Sequence, residues 1–165
     1  MELNLLPILN FEGKKMQISQ NVEVFPNSDD GFAVSSPFHF EGYALNTGGV
    51  IELFGNASGT LEMICDRCAE KFKKDISFEV NEKFRKEDEF SSDGDDSDFI
   101  ILKGTSVDLS DIVYSNLYMN LPLKNLCSDT CKGICPVCGT NLNFGTCSCD
   151  SRPVNPAFDI LDNLL

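Results

Sequence analysis

The chain has 165 residues, 42% hydrophobic and 24% charged, enough for one domain with a small appended module and outside the composition of disordered chains. Its formal charge is −13, from 26 acids against 13 bases, which weighs against binding nucleic acid by displacing counterions from phosphates over a broad face. No run of about 18 apolar residues exists, so no membrane-spanning helix is expected.

Met1 to Phe11 lacks the basic start and small-residue cleavage site of a secretory signal, and Glu2, Asn4, Pro7 and Asn10 interrupt its apolar residues. A first strand and a cytoplasmic protein are expected. Phe32, Val34, Phe38 and Phe40 then alternate with polar residues, and Asn46-Thr47-Gly48-Gly49 supplies turn chemistry. From Ile51 to Cys65 the odd positions carry the apolar series Ile51, Leu53, Ala57, Leu61 and Met63. Gly55 and Gly59 in the same series predict a bend or bulge. Ile76, Phe78, Val80 and Phe84 form another alternation. Residues 87–98 (EDEFSSDGDDSD) hold seven acids and no base and are expected to be a mobile loop. A short strand is expected at Phe99 to Leu102.

Asp108 is placed to cap a helix over 108–119, with Leu109, Ile112, Val113 and Leu117 at helical spacing and Pro122 beyond its end. Tyr114 and Tyr118, one turn apart on its flank, are expected to pack. Ala157 to Leu165 predicts a short terminal helix. The fold class expected is α+β and mainly antiparallel β, a meander or a partly closed barrel with one central helix and a C-terminal zinc-ribbon-like segment. The domains expected are 1–124, the β domain, and 125–165, a cysteine-rich zinc-binding tail.

Eight cysteines in a cytoplasmic chain point to metal or redox chemistry, because disulfides are reduced there. Cys135-Pro136-Val137-Cys138-Gly139, followed by Cys147-Ser148-Cys149, has the form of a zinc knuckle with its completing pair. Two cysteines two residues apart aim their sulfurs at one ion, turn N–H groups donate to the thiolates, and glycine relieves the turn. These four are the first predicted metal site. Cys65-Asp66-Arg67-Cys68 repeats the spacing at a predicted hairpin tip. With Cys127 and Cys131 it forms the second predicted site, against the alternative of a single site of mixed membership with thiols left over. Cys65 and Cys68 as a dithiol redox pair, or a redox-controlled chaperone, is the rival from another class. Asp66 opposes thiolate formation there, although Arg67 helps, and no thioredoxin-like βαβ pattern surrounds the pair.

No catalytic constellation stands out. His39, the only histidine, lies on the polar side of its strand, and the glycines lack the lysine and helix of a phosphate loop. No enzymatic activity is expected. Only the stretch from Cys65 to Lys86 is locally basic, so Arg67, Lys71, Lys73, Lys74 and Arg85, with Phe72 near the tip, are the candidate contacts to RNA or an anionic protein face. Lysines that keep a strand soluble give the same pattern.

The strings Leu61-Glu62-Met63-Ile64-Cys65-Asp66-Arg67-Cys68 with Phe72 and the acidic linker, and Val107-Asp108-Leu109 through to Leu121-Pro122-Leu123-Lys124, resemble the YceD-type large ribosomal RNA subunit accumulation proteins. The tail LCSDTCKGICPVCGTNLNFGTCSC, with Pro156-Ala157-Phe158 and Leu161 beyond it, is similar to that family's cysteine-rich branch. The resemblance implies a non-enzymatic factor that supports synthesis, processing or stability of large-subunit rRNA. Family members without the tail cysteines imply that the metal stabilises the fold and performs no chemistry. With the acidic balance, the resemblance suggests action through a basic ribosomal protein or assembly factor, with rRNA reached indirectly or through the 65–86 hairpin. A zinc-ribbon adaptor for another complex is the remaining alternative.

Overall fold

The computed structural model describes residues 1–86 and 99–149, which form two compact units. The first takes Met1–Met63 and Phe72–Leu123; the second joins Ile64–Lys71 to Lys124–Leu165. The expected acidic loop at 87–98 and terminal helix at 157–165 lie outside the described residues.

In the first unit a short strand β1 (Glu2–Asn4) leads into the helical turn α1 (Leu6–Leu9). Pro7 sits at the start of that turn, where a missing N–H costs nothing. The expected single first strand is therefore cut to three residues, and the described residues hold two helices where one was expected. Next come β2 (Lys15–Val22), β3 (Phe32–Val34), β4 (Phe38–Asn46), β5 (Val50–Ile64), β6 (Lys71–Lys86), β7 (Ile100–Leu102) and β8 (Ser106–Asp108), then α2 (Leu109–Asn120).

Strand order in the main sheet is β2-β4-β5-β6-β7, with β3 beside β5. β4 runs antiparallel to both β2 and β5, so the expected meander is present. The sheet stays open, with β2 and β7 at its two ends, so the barrel alternative is overturned. β7 also runs parallel to β6, an exception to the antiparallel pattern. β1 and β8 pair separately as a two-stranded sheet.

Period two places Ile51, Leu53, Ala57, Leu61 and Met63 of β5 inside, with Phe38, Phe40 and Ala44 of β4 and Phe78, Val80 and Phe84 of β6. Gly55 makes no bulge, since β5 pairs with β4 without interruption from Ile51 to Ser58, whereas Gly59 lies where β5 passes from β4 to β3. They stand in the inward series because two rings occupy their side-chain space. A Cβ on Gly55 would lie 2.5 Å from Cζ of Phe40, and one on Gly59 2.9 Å from the Phe38 ring. The irregularity falls across the strand instead, where Ser35-Ser36-Pro37 separates β3 from β4 and Pro37 cannot donate to a ladder.

α2 begins as expected: the Asp108 carboxylate accepts from the Ser110 N–H at 2.8 Å. Leu109, Ile112, Val113 and Leu117 are buried in the core cluster. Tyr114 packs and ties down a loop, donating to Asp30 at 2.8 Å and accepting from Asn27 at 2.9 Å. Tyr118, expected to pack, is 59% exposed.

Asn46 is the one buried polar side chain in the described core. Its Nδ2 donates to the carbonyls of Ile8 and Leu9 at 2.8 and 3.1 Å, and its Oδ1 accepts from Gly48 N–H at 2.9 Å. The residue thus closes the β4–β5 turn and satisfies the end of α1 together. Asn46→Ala is expected to remove these bonds, leaving the Ile8 carbonyl its bond from the Phe11 N–H, and to cost about 2–3 kcal/mol, readable as a lower urea midpoint at unchanged m.

Candidate metal centres

The second unit holds all eight cysteines, and its local folding explains their positions. At the first knuckle the Cys65 N–H donates to the Glu70 carbonyl at 2.9 Å and the Ala69 N–H to the Cys65 carbonyl at 2.9 Å. At the second, the Cys135 N–H donates to Thr140 at 2.8 Å and the Gly139 N–H to Cys135 at 2.9 Å. The two turns have the same hydrogen-bond pattern, and each needs a left-handed residue after its second cysteine. Gly139 takes that place at φ 73° and Ala69 at φ 57°, an alanine held where glycine is favoured.

The first tip is stitched to residues 124–134 by its own backbone. Asp66 N–H donates to the Asn125 carbonyl at 2.8 Å, and the Asp66 carboxylate accepts from Asn125 N–H at 2.7 Å. Arg67 donates through Nη1 to the Cys131 carbonyl at 3.0 Å, and its own carbonyl accepts from Ile134 N–H at 3.1 Å. Gly133 lies so close that a Cβ there would sit 2.9 Å from that Arg67 carbonyl. Asp66, read from sequence as an opponent of thiolate formation, therefore works as a splint that brings Cys127 toward Cys65.

The sulfurs gather as two quartets, Cys65, Cys68, Cys127 and Cys131, and Cys135, Cys138, Cys147 and Cys149, each with all Sγ atoms within 4.8 Å of one another. Cys65 and Cys131 are 3.8 Å apart, and Cys68 and Cys127 3.7 Å. A disulfide needs about 2.0 Å. Four sulfurs around one ion at a zinc–thiolate distance of about 2.3 Å stand about 3.8 Å apart at tetrahedral angles. The first quartet therefore has the dimensions of a single-ion site. An iron–sulfur cluster, whose cysteines bind different irons, would spread the sulfurs further.

N–H donors aim at these sulfurs. Burial pushes Cys65 up, but N–H groups of Cys127, Cys68 and Arg67 outweigh it and bring the thiol down to about 6. The Asn143 amide, donating from 3.3 Å, lowers Cys131. Cys127, beside Cys131, is pushed up to about 12. In the second quartet Thr140, through its hydroxyl at 3.1 Å and its N–H, lowers Cys138 to about 6, while Cys138 pushes neighbouring Cys149 up to about 12. Without a cation the crowded sulfurs cannot all be thiolates, so each quartet keeps protons that a divalent ion would displace.

Sequence reasoning did not single out Asn143. Its carbonyl oxygen accepts from Lys132 N–H at 2.9 Å, while its amide donates to Cys131 Sγ and to Asn141 Oδ1. It lies between Cys138 and Cys147 in sequence yet orients a sulfur of the other quartet. Its only sequence signal was the pair Asn141 and Asn143 inside a cysteine frame. Asn143→Leu is expected to weaken metal retention in the Cys65 quartet by about 10–100-fold, the usual effect of losing an outer-shell donor, measured by competition with a chromophoric chelator.

The predicted contact residues divide between the two units, Arg67 and Lys71 in the second and Lys73, Lys74 and Arg85 in the first. Arg67 is engaged as described, and the Arg85 guanidinium lies 4.0 Å over the Phe99 ring. Lys73 is exposed, and Lys74 is half-buried on the opposite face of β6. His39 is exposed and 3.1 Å from the Asn21 side chain. No helix among the described residues is long and apolar enough to cross a membrane.

The sequence profile of the family described as "Large ribosomal RNA subunit accumulation protein YceD" matches residues 53–165, a span that includes all eight cysteines. No curated protein and no solved structure shows a significant match.

Proposed function

Since the chain belongs to the YceD family, whose membership implies a role in large-subunit rRNA accumulation, we propose that it performs that role as a non-enzymatic cytoplasmic binding factor. It supports synthesis, processing or stability of the RNA through a basic ribosomal protein or assembly partner. The observation that carries this reading is the family match itself, which runs through the β5–β6 hairpin, α2 and both knuckles.

The charge of −13, made more negative by about −2 for each four-thiolate zinc site, argues that the first contact is with a basic protein. Direct contact with rRNA belongs to the 65–86 hairpin, where Lys73 stands exposed. Zinc is the metal best suited to both quartets: soft thiolates select it, the spacing fits one tetrahedral ion, and the N–H donors are those that stabilise bound thiolates. The second unit is then a zinc-ribbon-like module whose metals hold its fold.

Depletion of the protein should lower large-subunit rRNA relative to small-subunit rRNA, and unchanged ratios would refute the role. Capture of the tagged chain should retain large-subunit proteins after RNase treatment; loss of all of them would refute protein-mediated contact.

The thiol of Cys65 at about 6 favours a second reading, a dithiol redox pair with Cys68. Against it, the sulfurs of Cys65 and Cys68 are packed against those of Cys131 and Cys127. Metal-free protein with a reversibly oxidised Cys65–Cys68 pair would favour the redox reading over zinc.

A further inference from the structure

In the first unit a cavity of about 310 Å³ opens between the ends of β6, β7 and β8 and the first turns of α2. Its lining is largely apolar, with Phe84, Leu102, Val107 and Ile112, and Ile100 and Ile101, which also line it, are 42% and 43% exposed. Three carboxylates, Glu82, Asp108 and Asp111, line it against one base, Lys103. β7 ends the strand order, so no described strand pairs with its outer edge.

We propose that this groove is the docking site for an extended segment of a basic protein partner, one with apolar side chains flanked by lysine or arginine. The inference rests on the functional reading above and names the surface that serves it. The cavity is at the small end for ligand pockets, suited to one or two side chains. Its walls are apolar and its rim is anionic, which together match a short segment with both properties. Glu82 accepts from Asn116 Nδ2 at 2.6 Å, while Asp108 caps α2 and is ion-paired with the Met1 amine at 2.7 Å, so Glu82 and Asp111 are the carboxylates that face a basic segment. Asp111, exposed on the first turn of α2, adds a charge on the same side. The outer edge of β7, where no described strand pairs, gives an extended segment main-chain partners, with alternate side chains entering the cavity. RNA is disfavoured there, since its phosphates would face the same carboxylates.

The test uses the full chain and a labelled heptapeptide with Val-Ile-Val at its centre and two basic residues at each end, read by fluorescence anisotropy. Wild type should bind it, more weakly as salt rises. Asp111→Lys and Ile101→Glu, both at exposed positions, should each weaken binding about tenfold or more, while Glu41→Lys, on a different exposed strand position, should leave it nearly unchanged. Equal binding by Asp111→Lys and Ile101→Glu, an equal loss with Glu41→Lys, no binding by wild type, or displacement by a uridine-rich RNA oligomer would each overturn the groove. Co-sedimentation with large-subunit particles separates the two levels. If wild type and Asp111→Lys both co-sediment, the groove is refuted and the functional reading stands; if wild type does not, the reading itself fails.

Discussion

Cys138→Ser should empty one of the two proposed zinc sites and remove amide-exchange protection across residues 127–149, while β4, β5 and β6 exchange as in the wild type. The expected size follows from what holds the second unit. Its described residues contribute only Cys65, Cys68, Cys131 and Cys135 to the buried apolar set, so there is little hydrophobic burial to hold the segment without metal. Structural zinc in small peptides is worth about 10–16 kcal/mol, several times what the remaining hydrogen bonds of such a segment supply. The loss is expected to reach back to Cys127 and Cys131 because Asn143, whose loop depends on the second quartet, supplies an N–H to Cys131 Sγ and holds the Lys132 N–H. Unchanged protection of 127–149 in the variant would show that the segment folds without that metal site.

Gly42→Val should be the most damaging single change in the sheet, lowering stability by more than about 3 kcal/mol and yielding little folded protein. Gly42 faces Gly55 across the β4–β5 ladder, on the inward series shared with Phe40 and Ala44. A Cβ on it would collide with the Phe54 carbonyl oxygen and lie 2.5 Å from the Gly55 Cα. Those atoms are backbone and cannot turn aside as a side-chain end can, so the strands must separate. Ordinary overpacking costs about 1–3 kcal/mol, and strand separation adds lost ladder bonds to it. Thermal unfolding of purified protein reads the effect directly; a melting temperature close to wild type would mean that the sheet accommodates the methyls.

The core strands were legible because burial on one face imposes period two, which Ile51 to Met63 keep except at Gly55 and Gly59, and Phe78 to Phe84 except at Glu82. α2 was legible for a local reason, a capping aspartate before apolar residues at helical spacing. What stayed hidden depended on partners distant in sequence. Gly55 and Gly59 resemble bend signals until Phe40 and Phe38 are known to lie across from them. Closure of the sheet is set by its edge strands, and nothing in the pattern of β7 shows that it pairs in parallel with β6. At the cysteines, the two-residue spacing of each knuckle is a local signal, while the division of the eight into two fours was one of two readings until the fold grouped the sulfurs. The Asp66–Asn125 clasp and Asn143 could not be read in advance, because asparagine and aspartate fit any turn and only the fold shows which sulfur or backbone group they meet.

Native mass spectrometry of protein purified under reducing conditions without chelator tests the central claim most directly. The predicted result is two zinc ions per chain, falling to one when Cys65 and Cys68 are changed to serine and to one when Cys135 and Cys138 are changed. A metal-free chain whose residues 127–149 are nonetheless protected from exchange would contradict it.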